Sequence, residues 1–128
     1  MIANGNINKI NGQQNYLYGV NNQIIGTLNG VKGDYNTINQ GTSNLIIGSG
    51  NNITNGNKNA INGTKNKING TNNIITTGSL NFINGNDNIA NGIRNYIQGQ
   101  LNQIIGELNF VDGRQNVVNG LDNYVEGN

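Results

Sequence analysis

Few side chains in this 128-residue chain could do chemistry. Cys and His are both absent, which removes thiolate nucleophiles, disulfides, thiolate zinc sites and the imidazole base that is also the commonest metal ligand. The carboxylates are Asp34, Asp87, Glu107, Asp112, Asp122 and Glu126. Two of them in convergent geometry would serve as an acid–base pair or hold a cation. Asp112 and Glu126 occupy equivalent places in the chain, fourteen residues apart. Solvated surface acids are far commoner than such a pair. Glycine is abundant, yet no G-x-x-x-x-G-K-[ST] phosphate loop occurs. Nucleic-acid binding calls for a basic face, whereas the net charge is +1 and Lys58, Lys65 and Lys67 form the sole basic cluster. The expectation is a protein that is not an enzyme, has no catalytic, cofactor or metal site, and has no nucleic-acid partner.

The elements that would position these residues are set by composition. Asn contributes 33 residues, Gly 20 and Ile 19, far from the broad usage of ordinary domains. From Asn6 to Gly127 the chain divides into seventeen units of the form x-x-Asn-x-Φ-x-Gly, where Φ is aliphatic. The Asn positions are Asn8, Asn15, Asn22, Asn29, Asn36, Asn44, Asn51, Asn59, Asn66, Asn73, Asn81, Asn88, Asn95, Asn102, Asn109, Asn116 and Asn123. Φ is Ile, Leu or Val except at Ala90, and every unit closes with Gly. Three units, DYNTINQG, SGNNITNG and TNNIITTG, carry an eighth residue between Φ and Gly. A coiled coil is excluded, because it needs two apolar positions per heptad and a Gly in every unit costs a helix about 1 kcal/mol each time. Disorder is disfavoured, because a merely compositional tract has no reason to keep Asn and Φ in phase over seventeen units.

Asn-x-Φ-x is therefore a short strand with Asn and Φ on one side, and Gly provides the room or the positive φ that a tight corner needs. Stacking of such units describes an all-β solenoid, or β-roll, spanning 1–128 as a single domain. The fourth position of the unit sets the number of strands per coil. In alternate units it ends in Phe82, Tyr96, Phe110 and Tyr124, while the other set is mostly aliphatic from Leu45 onward. Every third unit shows no such order, so two strands per 14-residue coil and about nine coils are expected. The likeness of QQNYLYGVNNQIIG to IRNYIQGQLNQIIG lies eleven units apart, which fits duplication rather than stacking. Φ then fills a thin core and the Asn amides form a scaffold ladder, bonding one another and the corner backbone.

By parity Phe82, Tyr96, Phe110 and Tyr124 point outward, either as a contact surface or as a stack that shields itself. Residues 1–70 hold five Lys and one Asp, and residues 71–128 hold two Arg and five acids. Opposite charge at the two halves favours head-to-tail association of rods. Neither MIANG nor VEGN reads as a cap for the end rungs. No apolar run is long enough for a membrane span and the start does not read as a signal peptide. The N-x-T sequons at Asn52, Asn62 and Asn69 would be glycosylated only in a eukaryotic secretory route.

The phrase Gly-x-x-Asn-x-Ile-x-Gly, as in GTKNKING and GELNFVDG, resembles the head repeats of trimeric autotransporter adhesins. That resemblance implies a β-roll of 14-residue coils, an extracellular or cell-surface location, and partners such as a glycan or matrix surface. This chain departs by using Asn and large aliphatics where those heads have small residues, and it shows no neck, stalk or anchor. Its Gly-x-x-Asn part looks like curlin amyloid repeats, without their Gln ladder. Gly85-Asn86-Asp87-Asn88 is faintly similar to calcium-binding β-rolls, which need Asp in successive turns. The first expectation for function is a non-enzymatic structural solenoid that self-associates, head-to-tail or laterally, as a filament subunit or adhesin-like module. The alternative is a ligand-binding rod such as an ice-binding protein. Against the latter, the outward pairs are mixed and contain no repeated Thr-x-Thr; Thr27, Thr42, Thr64 and Thr71 recur at corners.

Overall fold

The computed structural model describes residues 2–127, which wind into a β-solenoid of two facing parallel sheets. Among these residues the first sheet has nine strands, from Ile2–Asn4 to Val117–Leu121, and the second has ten, from Lys9–Asn11 to Tyr124–Gly127. They are called here the aliphatic and aromatic sheets, after their outward side chains. Successive strands of the chain alternate between them, so each strand pairs with the one two steps along the chain, fourteen or fifteen residues away. A parallel pair needs a crossover of about a dozen residues, and here the strand of the opposite sheet supplies it.

The core is one residue deep. Leu17, Ile24, Val31 and their equivalents through Val118 are buried between the sheets, with Ile10 and Val125 half-covered at the two ends. Burial of each such aliphatic contributes roughly 1.5–3 kcal/mol relative to exposure. The ladder residues from Asn15 to Asn116 are buried beside it. Asn95 shows the pattern. Its Nδ2 donates to Asn81 Oδ1 at 3.0 Å and to the Gly106 carbonyl at 2.9 Å. Its Oδ1 accepts from the Asn109 backbone N–H at 3.1 Å and from Asn109 Nδ2 at 2.9 Å. An amide inside the ladder such as Asn95 or Asn81 thus gives two hydrogen bonds and receives two, all between neighbouring coils. Asp would lack the donors and stack like charges. A hydroxyl has only one proton. The need for a short neutral amide explains why all seventeen units keep Asn.

The corners differ from the sequence expectation. The closing Gly does take positive φ in most units, for example +144° at Gly106, where an added Cβ would collide with the Gly120 carbonyl oxygen of the next coil. The second residue of the unit is also left-handed, from Ile7 to Asp122, with φ between 52° and 60° at non-Gly residues. Only Gly50 holds that position as a glycine. The eighth residue of the long units sits where expected, between Φ and Gly. Register slips past Gln40, which is left-handed at φ 60°, and past Thr76, while the strand at Ile53 breaks before resuming at Gly56–Asn57. Tyr16 lies on the aliphatic sheet and Tyr96 on the aromatic one, so the two similar segments do not stack.

Candidate functional site

Since the inward positions serve the scaffold, any binding function resides on the two outward faces and the corners. On the aliphatic sheet the outward pairs run Leu45/Ile47, Ala60/Asn62, Ile74/Thr77, Ile89/Asn91, Gln103/Ile105 and Val117/Asn119. No charge occurs in these twelve positions. Leu45, Ile47, Ile74, Ile89, Ile105 and Val117 are exposed, as are Asn62, Asn91 and Asn119. The rungs before Leu45 are different, with Tyr16, Tyr18 and Lys32 pointing outward. Parallel strands lie roughly 4.8 Å apart, and ladders of identical side chains are what keep a many-stranded sheet flat. The result is six uncharged rungs, five of which set one apolar group beside one amide or hydroxyl group, while Leu45/Ile47 is apolar at both positions.

The aromatic sheet carries a different surface over the same coils. Phe82, Tyr96, Phe110 and Tyr124 stack face to face, with centroids 5.0, 4.9 and 5.2 Å apart and planes within 8° of parallel. The Lys67 ammonium lies over the Phe82 ring at 5.6 Å. Stacking leaves Phe82, Tyr96 and Phe110 half-buried and only Tyr124 open. The ring faces are spent on one another, and what the ladder shows to solvent is ring edges. Beside it Asp112 and Glu126 are direct register partners. The Tyr124 hydroxyl donates to Glu126 Oε2 at 3.3 Å, and the Glu126 charge, with that hydrogen bond and lesser help from burial and Asp112, raises the Tyr124 pKa above the usual tyrosine value.

The remaining sequence candidates are dispersed. Lys65 and Lys67 flank the corner leading into the aromatic sheet, whereas Lys58 lies at the opposite corner, so the basic cluster does not make one patch. Asp87 accepts a hydrogen bond from Asn72 Nδ2 at 2.6 Å. Among the described residues no three acids come together as a metal site. Thr27 and Thr42 are register partners at one corner, and Thr64 and Ser79 share a hydroxyl hydrogen bond of 2.9 Å at the other. These are short hydroxyl ladders, away from both faces. Of the three sequons, Asn52 has a buried Oδ1 without a partner, Asn69 donates to Asn84, and Asn62 is exposed on the aliphatic face. The aliphatic character of that face, with Ile74, Ile89 and Val117, is legible in the sequence; its further mark is the absence of charge from Leu45 to Asn119 at every outward position of alternate units.

A search of the curated proteins found no match. A scan against family models matched residues 31–128 to the family described as the grass antifreeze beta roll. The match gives no support to the adhesin heads or curlin repeats that the seven-residue phrase resembles. It spans the whole uncharged part of the aliphatic face, from the rung of Leu45 to that of Val117. With two sheets, a 14-residue coil and an unbroken Asn ladder beneath that match, the chain belongs to the grass antifreeze beta-roll family.

Proposed function

We propose that the protein binds ice, and that it does so through the aliphatic face. The observation that carries this reading is the uncharged character of the twelve outward positions from Leu45 to Asn119 within the stretch that matches an antifreeze family. Ice is a neutral, ordered lattice. An ionised side chain against it would have to give up its hydration shell without a counter-charge, which is costly. Aliphatic and small amide groups give up little, and their regular ranks order the water between them in step with the lattice. A rod adsorbed in this way pins the growing surface. Ice then advances only as curved fronts between adsorbed molecules, and curvature lowers the local freezing point. Bulky stacked rings, Lys67, Asp112 and Glu126 make the aromatic sheet a poor match for the same surface. Uncharged ranks take the place of Thr-x-Thr: Ile89 and Asn91 sit in register with Gln103 and Ile105 at the centre of the face.

The test compares one variant on each sheet. Asn91→Lys adds a charge at an exposed position of the aliphatic face, and Gln98→Lys adds the same charge at an exposed position of the aromatic face. Freezing-point hysteresis and ice-recrystallisation inhibition should fall sharply for Asn91→Lys and persist for Gln98→Lys. An unmodified chain without effect on ice growth, or loss confined to Gln98→Lys, would sink the proposal.

A further inference from the structure

The aromatic sheet and the corner leading into it carry an apolar strip that ice binding leaves unused. Leu80 and Leu108 are about half exposed at the corner, and Tyr124 is 70% exposed at the end of the ring ladder. The strip is modest in area, and its apolar groups are open to a partner. Its charges lie in an order that names the occupant. Along the strip the outward residues of five successive rungs read Lys67, Phe82, Tyr96, Phe110 and Tyr124. The next row reads Asn69, Asn84, Gln98, Asp112 and Glu126. The corner row, one coil per step, reads Lys65, Leu80, Arg94, Leu108 and Asp122. Positive charge lies at one end, negative charge at the other, and Tyr96 stands in the middle.

We propose that this strip is a self-complementary interface, on which a second copy of the chain packs antiparallel about a two-fold axis through the rung of Tyr96. A two-fold axis lying between two facing sheets reverses the order of the rungs and keeps the rows aligned, as isologous contacts require. Under it Lys65 of each copy comes opposite Asp122 of the other, and Leu80 opposite Leu108. Phe82 meets Phe110, Tyr96 meets its own equivalent, and Lys67 meets Tyr124. In the third row Asn84 faces Asp112 and Asn69 faces Glu126, so neither carboxylate meets another. The one like-charge meeting is Arg94 with Arg94, at the corner edge of the strip. Moving the axis one rung on, to Phe110, would set Asp112 against Asp112. A parallel arrangement, about an axis along the ring ladder, would set Lys67 against Lys67 and Asp122 against Glu126.

The strip is about 13 Å wide and 19 Å long from strand geometry, well below the ~800 Å² per partner of stable complexes. The dimer is therefore weak and salt-sensitive, and it leaves the aliphatic sheets facing outward on both sides.

Charge exchange on the full chain tests it. One variant combines Asp122→Lys with Glu126→Lys, and the other combines Lys65→Glu with Lys67→Glu; all four residues are exposed. Sedimentation equilibrium at low salt and near-millimolar concentration should give twice the 13.7 kDa monomer mass for the unmodified chain. Each variant alone should be monomeric, and an equimolar mixture of the two should recover the dimer. Circular dichroism on each confirms the fold. A monomeric unmodified chain, rods that lengthen with concentration, a dimer that survives in both variants, or a mixture that stays monomeric would each overturn the proposal.

Discussion

The two outward faces rest on the same support and could hardly differ more. Behind Ile89 and behind Tyr96 lie equivalent Asn ladders, one shared layer of aliphatics and equivalent glycine corners. In front, one sheet shows uncharged ranks with no contact needed between rungs, and the other shows rings that stack on one another and pair with neighbouring polar groups. The difference separates what the solenoid demands from what it permits. Inward positions are fixed because each side chain must satisfy the coil before and the coil after. Outward positions are free, so their patterns record use. On the aromatic sheet the pattern is answered within the chain by stacking. On the aliphatic sheet nothing in the chain answers it, which is why that face is the better candidate for an external lattice.

If the supports are equivalent, damage to either should cost the same. Asn102 lies behind the aliphatic face and Asn95 behind the aromatic one. Asn102→Ala removes the acceptor of the Asn116 backbone N–H and a donor to the Gly113 carbonyl. Asn95→Ala does likewise to Asn109 and Gly106. With one buried N–H orphaned at about 1–3 kcal/mol and one partly buried carbonyl at about 1 kcal/mol, both variants should lose about 2–4 kcal/mol in urea unfolding. A large loss for one and none for the other would break the equivalence. The outer layer should respond unequally. Phe110→Ser removes a ring stacked on both sides and should cost about 1–2 kcal/mol. Val117→Ser, at a position 76% exposed, should stay within about 0.5 kcal/mol. Equal costs would mean that the ring stack adds nothing.

Legibility in the sequence follows the same division. The coil of fourteen, the Asn ladder, the outward rings and the site of the extra residue in the long units could all be read, because each repeats with one chemical requirement. Eight-residue units could be placed because Asn and Φ kept their spacing while the distance to Gly grew. The charged candidates could not be resolved in the same way. Lys58 and Lys65 lie seven residues apart, and in a two-strand coil that is half a turn, which puts them on opposite edges. The aliphatic strip of Ile74, Ile89 and Val117 could be read, but the lack of charge across the whole face is less legible for a related reason. Ile105, Asn91 and Thr77 share no residue type, and what unites them is only that none is ionised. The left-handed second position was invisible as well. Ile7, Leu28, Lys65, Asp122 and others occupy it with no common chemistry, so composition gives no mark of the backbone they share.

That hidden constraint yields an effect of the opposite sign. A non-Gly residue in the left-handed region is strained by its Cβ against the following carbonyl, at roughly 1–2 kcal/mol. Leu101 takes φ 60° at the corner leading into the aliphatic sheet, and Leu108 takes φ 57° at the corner leading into the aromatic sheet. Both side chains are about half exposed, so little packing is lost when they are removed. Glycine relieves the strain but gives the unfolded chain more freedom, worth about 0.5–1 kcal/mol. Leu101→Gly should therefore raise stability by about 0.5–1 kcal/mol, measured as a higher urea midpoint with an unchanged slope. Leu108→Gly should do the same in dilute solution, where no second copy covers its side chain. At the concentrations that favour the two-fold contact the two should part, because Leu108→Gly also removes an apolar partner of Leu80. Identical gains under both conditions would leave the corners equivalent and take Leu108 out of the interface.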